Sequence, residues 1–340
     1  MDKKGSSIRK GVAVFCGLSC ASVLLVVLLT NMPETWQALK EMRIECLLGA
    51  FILWALLVSI DVLRLQVLCK AAGTTMPFSY GVKAVLAYAF CSAITPSSEG
   101  GELMLVYMLR MKGIEVGKGI ALTLVRTFLP LFIIFAISPV IIYFHHEYIQ
   151  NIPLKITLVN FGILSVIALL CIAYLLLKTE HAKMLVQKIL PLFQKLPLLR
   201  SASFTTAKFI KWVDDFKSMM QTLFYYHKKA LGFAIIYTVI HLFTLYSLVP
   251  LILLGLGFNI SFTKALMMQL ILSFMIYLSP TPGGSGVAEG GFSILFAAFV
   301  PRHLLGVALV LWRFFGSYLR IITGALVVLK TFGIDWLNRT

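Results

Sequence analysis

Leu278-Ser-Pro-Thr-Pro-Gly-Gly-Ser-Gly-Val-Ala-Glu289 breaks an apolar stretch that runs from Ser261 to about Val300. Two prolines and three glycines within nine residues cannot continue a helix, because proline lacks the N–H and glycine gains backbone freedom. The stretch therefore reads as helix, breaker, helix. A second stretch, from Phe78 to about Arg110, is broken in the same way by Thr95-Pro-Ser-Ser-Glu-Gly-Gly-Glu102. The half after each breaker has about 15 residues, or roughly 23 Å of helix, short of a hydrocarbon core of about 30 Å. Both stretches thus fit re-entrant hairpins better than complete spans. Freed N–H and C=O groups at membrane depth must be satisfied by protein or a wet cavity, so both breakers should face the protein interior.

Around these breakers, six segments read as full spans: roughly 11 to 31, 44 to 70, 118 to 143, 155 to 177, 231 to 256 and 304 to 330. The composition agrees. Of 340 residues 59% are hydrophobic and only 13% charged, with a mean hydropathy of +0.92, whereas a soluble chain carries about a quarter charged residues. This excludes a soluble globular enzyme and predicts an all-α polytopic membrane protein, one integral domain of about six transmembrane helices and two broken hairpins. The 30 Lys and Arg against 14 Asp and Glu set the topology. With the N-terminus inside, 22 of the 30 fall on the inner side and five on the outer, leaving Arg126, Arg313 and Arg320 within the spans. The positive-inside rule then puts both termini in the cytoplasm. The six cysteines have no C-x-x-C pair and read as small buried hydrophobes.

The two broken regions correspond. Ser79 and Lys83-Ala84 precede Thr95-Pro96, Gly-Gly-Glu follows, and Arg126 lies 30 residues beyond Pro96. Ser261 and Lys264-Ala265 precede Thr281-Pro282, Gly-Gly and then Glu289 follow, and Arg313 lies 31 residues beyond Pro282. The first hairpin dips in from the cytoplasm and the second from outside, so the repeats, about 44–143 and 231–330, are inverted. Inverted repeats with broken helices at matching positions point to a midplane substrate site with alternating access; a duplication kept purely for structure is the plainer alternative. Between them the segment of about 178–230 is basic and amphipathic and carries Pro191 and Pro197. It reads as two or three short helices on the inner leaflet, or simply as a solvated linker. No nucleic-acid module accompanies the charge.

Four acids sit at membrane depth: Asp61, Glu99, Glu102 and Glu289. Asp61 and Arg64 are i, i+3 on one helix and read as a local ion pair outside the site. Glu99, Glu102 and Glu289 flank glycines at the starts of half-helices, whose N–H groups favour negative charge. In one reading these N–H groups, with Arg126 and Arg313, hold a phosphate or other anion while the glutamates take a cationic group or a proton. In the other, the glutamates cap the half-helices and pair with the arginines. The expected substrate-contacting set is Glu99, Glu102, Glu289, Arg126 and Arg313, with Pro96, Gly100, Gly101, Pro282, Gly283, Gly284 and Gly286 shaping the breaks. His241 reads as a satisfied interior histidine, and His145-His146 as a poor metal site. No catalytic residue, metal or cofactor is expected: G-x-S-x-G, Walker A, G-x-G-x-x-G and H-E-x-x-H are missing.

The two breaker motifs, P-G-G-x-G-x-x-E above all, resemble the paired motifs of the lysylphosphatidylglycerol synthase transmembrane-region family, the flippase-like membrane domain of MprF-type proteins. The resemblance covers nearly the whole chain. It implies movement of lipids between leaflets. In MprF-type proteins the domain is fused to an aminoacyl transferase; here Trp336-Leu-Asn-Arg-Thr340 follows directly on the last span, so a stand-alone translocator is expected and the lysyl-lipid substrate does not carry over. Family members often place an acid just before the arginine matched by Arg126, where this chain has Val125. The expectation is a lipid translocase, not an enzyme, in a bacterial or archaeal cell membrane, with membrane lipids as partners. Two alternatives stand beside it: a membrane adaptor docking a separate lipid-modifying synthase or glycosyltransferase, and a small-solute secondary transporter. An oligomer is compatible with either.

Overall fold

The computed structural model describes residues 33–95, 99–144, 152–177, 206–279 and 281–332. The expected first span at 11–31, Pro96, His145-His146 and the stretch 178–205 of the connector lie outside the described residues. The described chain is all helical, with no strands among those residues.

A short helix α1 (Pro33–Lys40) precedes α2 (Ile44–Ala71), α3 (Phe78–Ala93), α4 (Glu99–Met111), α5 (Val116–Phe144) and α6 (Ile152–Leu177). After the connector come α7 (Thr206–Gln221), which ends in a π-helical turn at Thr222–Tyr226, then α8 (Lys228–Tyr246), α9 (Leu248–Gly255) and α10 (Phe262–Tyr277). A 3₁₀ turn at Pro282–Gly284 leads to α11 (Val287–Phe296), α12 (Arg302–Arg313), a π-helical turn at Phe314–Tyr318, and α13 (Leu319–Phe332).

Four stretches are long and apolar enough to cross a membrane: Ile44–Ala71, Val116–Phe144, Lys228–Gly255 and Arg302–Thr331. The span expected at 155–177 falls on α6, a helix of 26 residues. The two broken stretches are helix pairs, as their breakers predict. α3 packs on α4, and α10 on α11. The arms after the breaks have 13 and 10 residues, about 20 and 15 Å of helix at about 1.5 Å per residue, shorter still than the sequence suggests.

The core has two apolar parts at different heights along the spans. One gathers Ala50 and Leu57 of α2 with Ile134, Phe135 and Ile142 of α5 and the inner faces of α8 to α12. The other gathers Val62, Leu65 and Leu68 of α2 with Ala121, Leu122 and Val125 of α5, the first hairpin, and Phe216, Met219, Met220 and Leu223. Outward faces stay apolar: Ile52, Phe132, Ile137, Leu164, Ile236, Phe243 and Leu326 are all exposed, which suits a helix bundle whose solvent is lipid. Cys46, Cys69 and Cys91 are buried as expected, while Cys171 is exposed.

α7, the described helix of the basic connector, is part of the body rather than a solvated linker. It packs along α5, and its apolar face fills the second core. Its backbone approaches so closely that a Cβ on Gly117 would lie 2.2 Å from the Trp212 carbonyl oxygen. At the same end Glu115 pairs with Lys118 at 2.8 Å and Lys211 at 3.9 Å. The Lys118 hydrogen bond, then its charge, holds the Glu115 carboxyl below the usual range.

Candidate functional site at mid-span

Between the two apolar cores lies a polar layer. On α2, Asp61 and Arg64 follow Leu57 of one core and are interleaved with Val62 and Leu65 of the other. On α5, Arg126 directly follows Val125 and precedes Ile134. All three are buried, each 5% exposed or less. Charges so placed must be paired.

They are. Arg126 straddles Asp61, with Nη2 2.5 Å from Oδ2 and Nε 3.2 Å from Oδ1. Arg64 approaches the same carboxylate, Nη2 to Oδ1 at 2.5 Å, and donates through Nη1 to the Thr238 hydroxyl at 3.1 Å. The i, i+3 pair expected on α2 exists, but a second helix, α5, joins it. Asp61 therefore belongs to the site, contrary to the expectation that set it aside. Arg64, which the charge count places on the inner side, is inside the bundle.

The first hairpin adds to this layer. Tyr88 of α3 stacks its ring under the Arg126 guanidinium, 4.1 Å from Cζ to the ring centre. Its hydroxyl donates to Glu102 Oε1 at 3.2 Å, and the Thr127 hydroxyl donates to the same oxygen at 2.7 Å. Glu102 is thus linked to Arg126 through Tyr88. Gly100 and Gly101 let the two arms meet: a Cβ on Gly101 would stand 2.9 Å from the Tyr88 carbonyl oxygen, and one on Gly100 3.0 Å from that of Cys91. Glu99 opens α4.

The second hairpin presents Glu289, fully buried, at the start of α11. Its Oε2 accepts the Gly286 N–H at 2.6 Å, and its Oε1 lies 2.8 Å from Arg313 Nε. The latter contact is close but not aligned as a hydrogen bond, so it counts as an ion pair. Arg313 Nη2 also reaches the Ser285 hydroxyl at 3.5 Å. Capping and arginine pairing therefore both hold for Glu289, as the plainer sequence reading has it. Gly283, Gly284 and Gly286 all have positive φ, at 60°, 66° and 88°, a conformation that side-chain-bearing residues rarely adopt.

The two halves meet at a cavity of about 160 Å³ lined by Asp61, Tyr88, Ser92 and Arg126 from the first half and Gly283, Arg313, Ser317 and Arg320 from the second, among others. The Pro282–Gly284 turn packs against α3, which brings the second breaker to the first hairpin. Of the expected set, Arg126, Arg313 and Gly283 line this cavity. Glu102 and Glu289 stand behind Tyr88 and Arg313 and do not line it. Arg320 was visible in sequence only as one of three arginines left within the spans. It emerges just after the π-helical turn, where its Nη2 donates to the Gly316 carbonyl. π-Bulges frequently mark functional positions. His241, expected to be satisfied, has Nδ1 buried without a hydrogen-bond partner among the described residues.

Comparison with known proteins agrees that this is a membrane protein. A UPF0104 membrane protein of Archaeoglobus fulgidus is 26% identical over 318 residues, covering 92% of this chain and 94% of that one. The model of the family described as lysylphosphatidylglycerol synthase TM region matches residues 11–324. A match of that extent takes in both hairpins, the polar layer and the connector, and the chain belongs to that family.

Proposed function

We propose that the protein is a lipid translocase rather than an enzyme, binding a lipid headgroup in the mid-span cavity while the acyl chains stay in the bilayer. The observation that carries this reading is the cavity itself: a charged chamber between two apolar cores, walled by residues of both broken hairpins. An ionisable cluster at such depth is expensive to maintain and marks a substrate path.

Matching dimensions support an inverted repeat with alternating access. Ile44–Ala71 and Lys228–Gly255 each have 28 residues, and α3 and α10 each have 16. The step in sequence from Glu102 to Glu289 equals that from Arg126 to Arg313. Contacts are reciprocal as well: α10 packs on α5, and α3 on α13, the last part of the equivalent long segment. Rocking of one hairpin against the other would expose the cavity to each leaflet in turn. The charge bias of the loops supports a cell-membrane location with both termini inside.

The test is leaflet exchange of headgroup-labelled lipids in liposomes containing the purified protein. Wild type should exchange selectively by headgroup, and Arg126→Gln and Glu289→Gln at matched incorporation should lose most of that rate. Equal and unselective exchange in all three would mean bilayer disturbance. Absence of exchange for every headgroup would overturn the translocase.

A further inference from the structure

A second cavity shares no lining residue with the mid-span one, although α5 serves both: Arg126 lines the first, its neighbour Val125 the second. The second holds about 320 Å³ between α5, α6, α7 and the start of α8, and among the described residues only Leu, Val, Phe and Met side chains line it. On α5 the lining runs from Leu124 to Phe132, about 12 Å at about 1.5 Å per residue. Phe132, Leu170 and Phe224, all part of the lining, are exposed, so the cavity opens on the outer, apolar face of the bundle. An apolar cavity stays dry, and left empty it forfeits the dispersion contacts of its walls. One of about 150 Å³ takes a benzene; this one, about twice as large, takes roughly a dozen carbons by the same measure, which is most of one acyl chain and not two.

The rim of this cavity is basic. Phe224 and Leu231 belong to the lining, and the chain between them reads Tyr225-Tyr226-His227-Lys228-Lys229-Ala230. Both tyrosines, His227 and both lysines are exposed. No Asp or Glu occurs from Phe216 to Ala288, so no acid nearby in sequence offsets these charges. Tyrosine rings settle at headgroup level and lysine stems extend to it, and basic groups beside the inner leaflet attract anionic lipid. We propose that the cavity holds one acyl chain of an anionic inner-leaflet phospholipid, resident between α5, α6 and the connector helix α7, with Lys228 and Lys229 meeting its headgroup. The site is separate from the mid-span cavity and does not depend on the translocase reading, because this lipid stays in place and pins α7 to the body.

The experiment is photo-crosslinking of the purified full chain in phosphatidylcholine liposomes, with a trace of phosphatidylglycerol or of phosphatidylcholine carrying a diazirine near the end of one acyl chain. Labelled residues are then mapped by mass spectrometry. The phosphatidylglycerol probe should label Leu129, Phe132 and Met220 at least fivefold more than the phosphatidylcholine probe does. Ile236 and Phe243, exposed on α8, report ordinary bilayer contact and should take both probes equally. Leu129→Trp, which fills the cavity, should cut labelling of Met220 at least fivefold and leave Ile236 and Phe243 unchanged. Lys228→Gln with Lys229→Gln should erase the preference for phosphatidylglycerol. Equal labelling of the cavity by the two probes overturns the anionic site, and no labelling by either means that another part of the chain fills the space. Labelling of Met220 that survives Leu129→Trp puts the acyl chain elsewhere and overturns it too. If Leu129→Trp does not fold, the ratio of the two probes on wild type still decides.

Discussion

Arg126 of α5 grips both oxygens of Asp61 on α2, at 2.5 and 3.2 Å, and each of the two residues is 5% exposed or less. Because Arg64 shares the carboxylate, one acid holds two guanidinium groups on two helices. Asp61→Asn leaves both cations buried with only neutral partners. It should cost about 3–5 kcal/mol, the range for breaking one side of a buried pair, read as a lowered unfolding midpoint in detergent. A loss below about 1 kcal/mol would show that water or another carboxylate already serves these arginines.

Asp61 also shows where sequence reading stops. Its spacing to Arg64 is visible as i, i+3, and that local pair exists, but spacing along one helix is blind to a guanidinium arriving from another. Val125 stands where family members often carry an acid, which leaves the first half short of a charge in sequence; Asp61, 65 positions before Arg126, supplies it. Glu289 with Arg313 was legible because Glu289 opens the helix after the breaker and Arg313 stands where the repeat matches it to Arg126. Arg320 was not, since nothing in its neighbourhood distinguishes a cavity-facing arginine from one reaching the lipid headgroups. The breakers themselves were fully legible, because proline and glycine act through local backbone chemistry.

Arg313 and Glu289 test pairing apart from function. Arg313→Gln strands a carboxylate that is fully buried and should destabilise by about 3–5 kcal/mol. Adding Glu289→Gln should recover at least half of that, since a neutral pair has no charge to bury and the new side-chain carbonyl can still accept the Gly286 N–H. A double-mutant cycle in thermal unfolding measures the coupling. Leaflet exchange should stay lost in the double variant, because Arg313 lines the cavity.

Tyr88 does two separable things. Tyr88→Phe removes the hydrogen bond to Glu102 but keeps the ring under Arg126, and Thr127 still donates to the same oxygen. The loss should be about 0.5–1.5 kcal/mol. Tyr88→Leu removes the cation–π contact as well, and should cost a further 0.5–2 kcal/mol or about that, with a larger fall in exchange. Equal unfolding midpoints for the two variants would show that the ring contributes nothing to holding Arg126.

The wall between α3 and α13 gives the last test, because it is built on backbone rather than charge. A Cβ on Gly324 would lie 2.1 Å from the Leu86 carbonyl oxygen and 3.0 Å from Phe90 Cβ. The first contact is with a main-chain atom of a packed helix, so no rotamer change relieves it and the two helices must separate. Overpacking of this kind costs about 1–3 kcal/mol, even though alanine is the better helix former. Arg320 and Ile321, one turn earlier on α13, face Val85, Ala89 and Ser92 of α3 across the cavity. Moving the helices apart at Gly324 should therefore widen the chamber as well as destabilise the protein. Gly324→Ala is expected to lower the unfolding midpoint and to loosen headgroup selectivity in the exchange assay, while Gly232→Ala, which meets nothing within 4 Å, should leave both unchanged. A stable Gly324→Ala protein with wild-type selectivity would mean that α3 and α13 already separate freely, and that their contact does not set the width of the site.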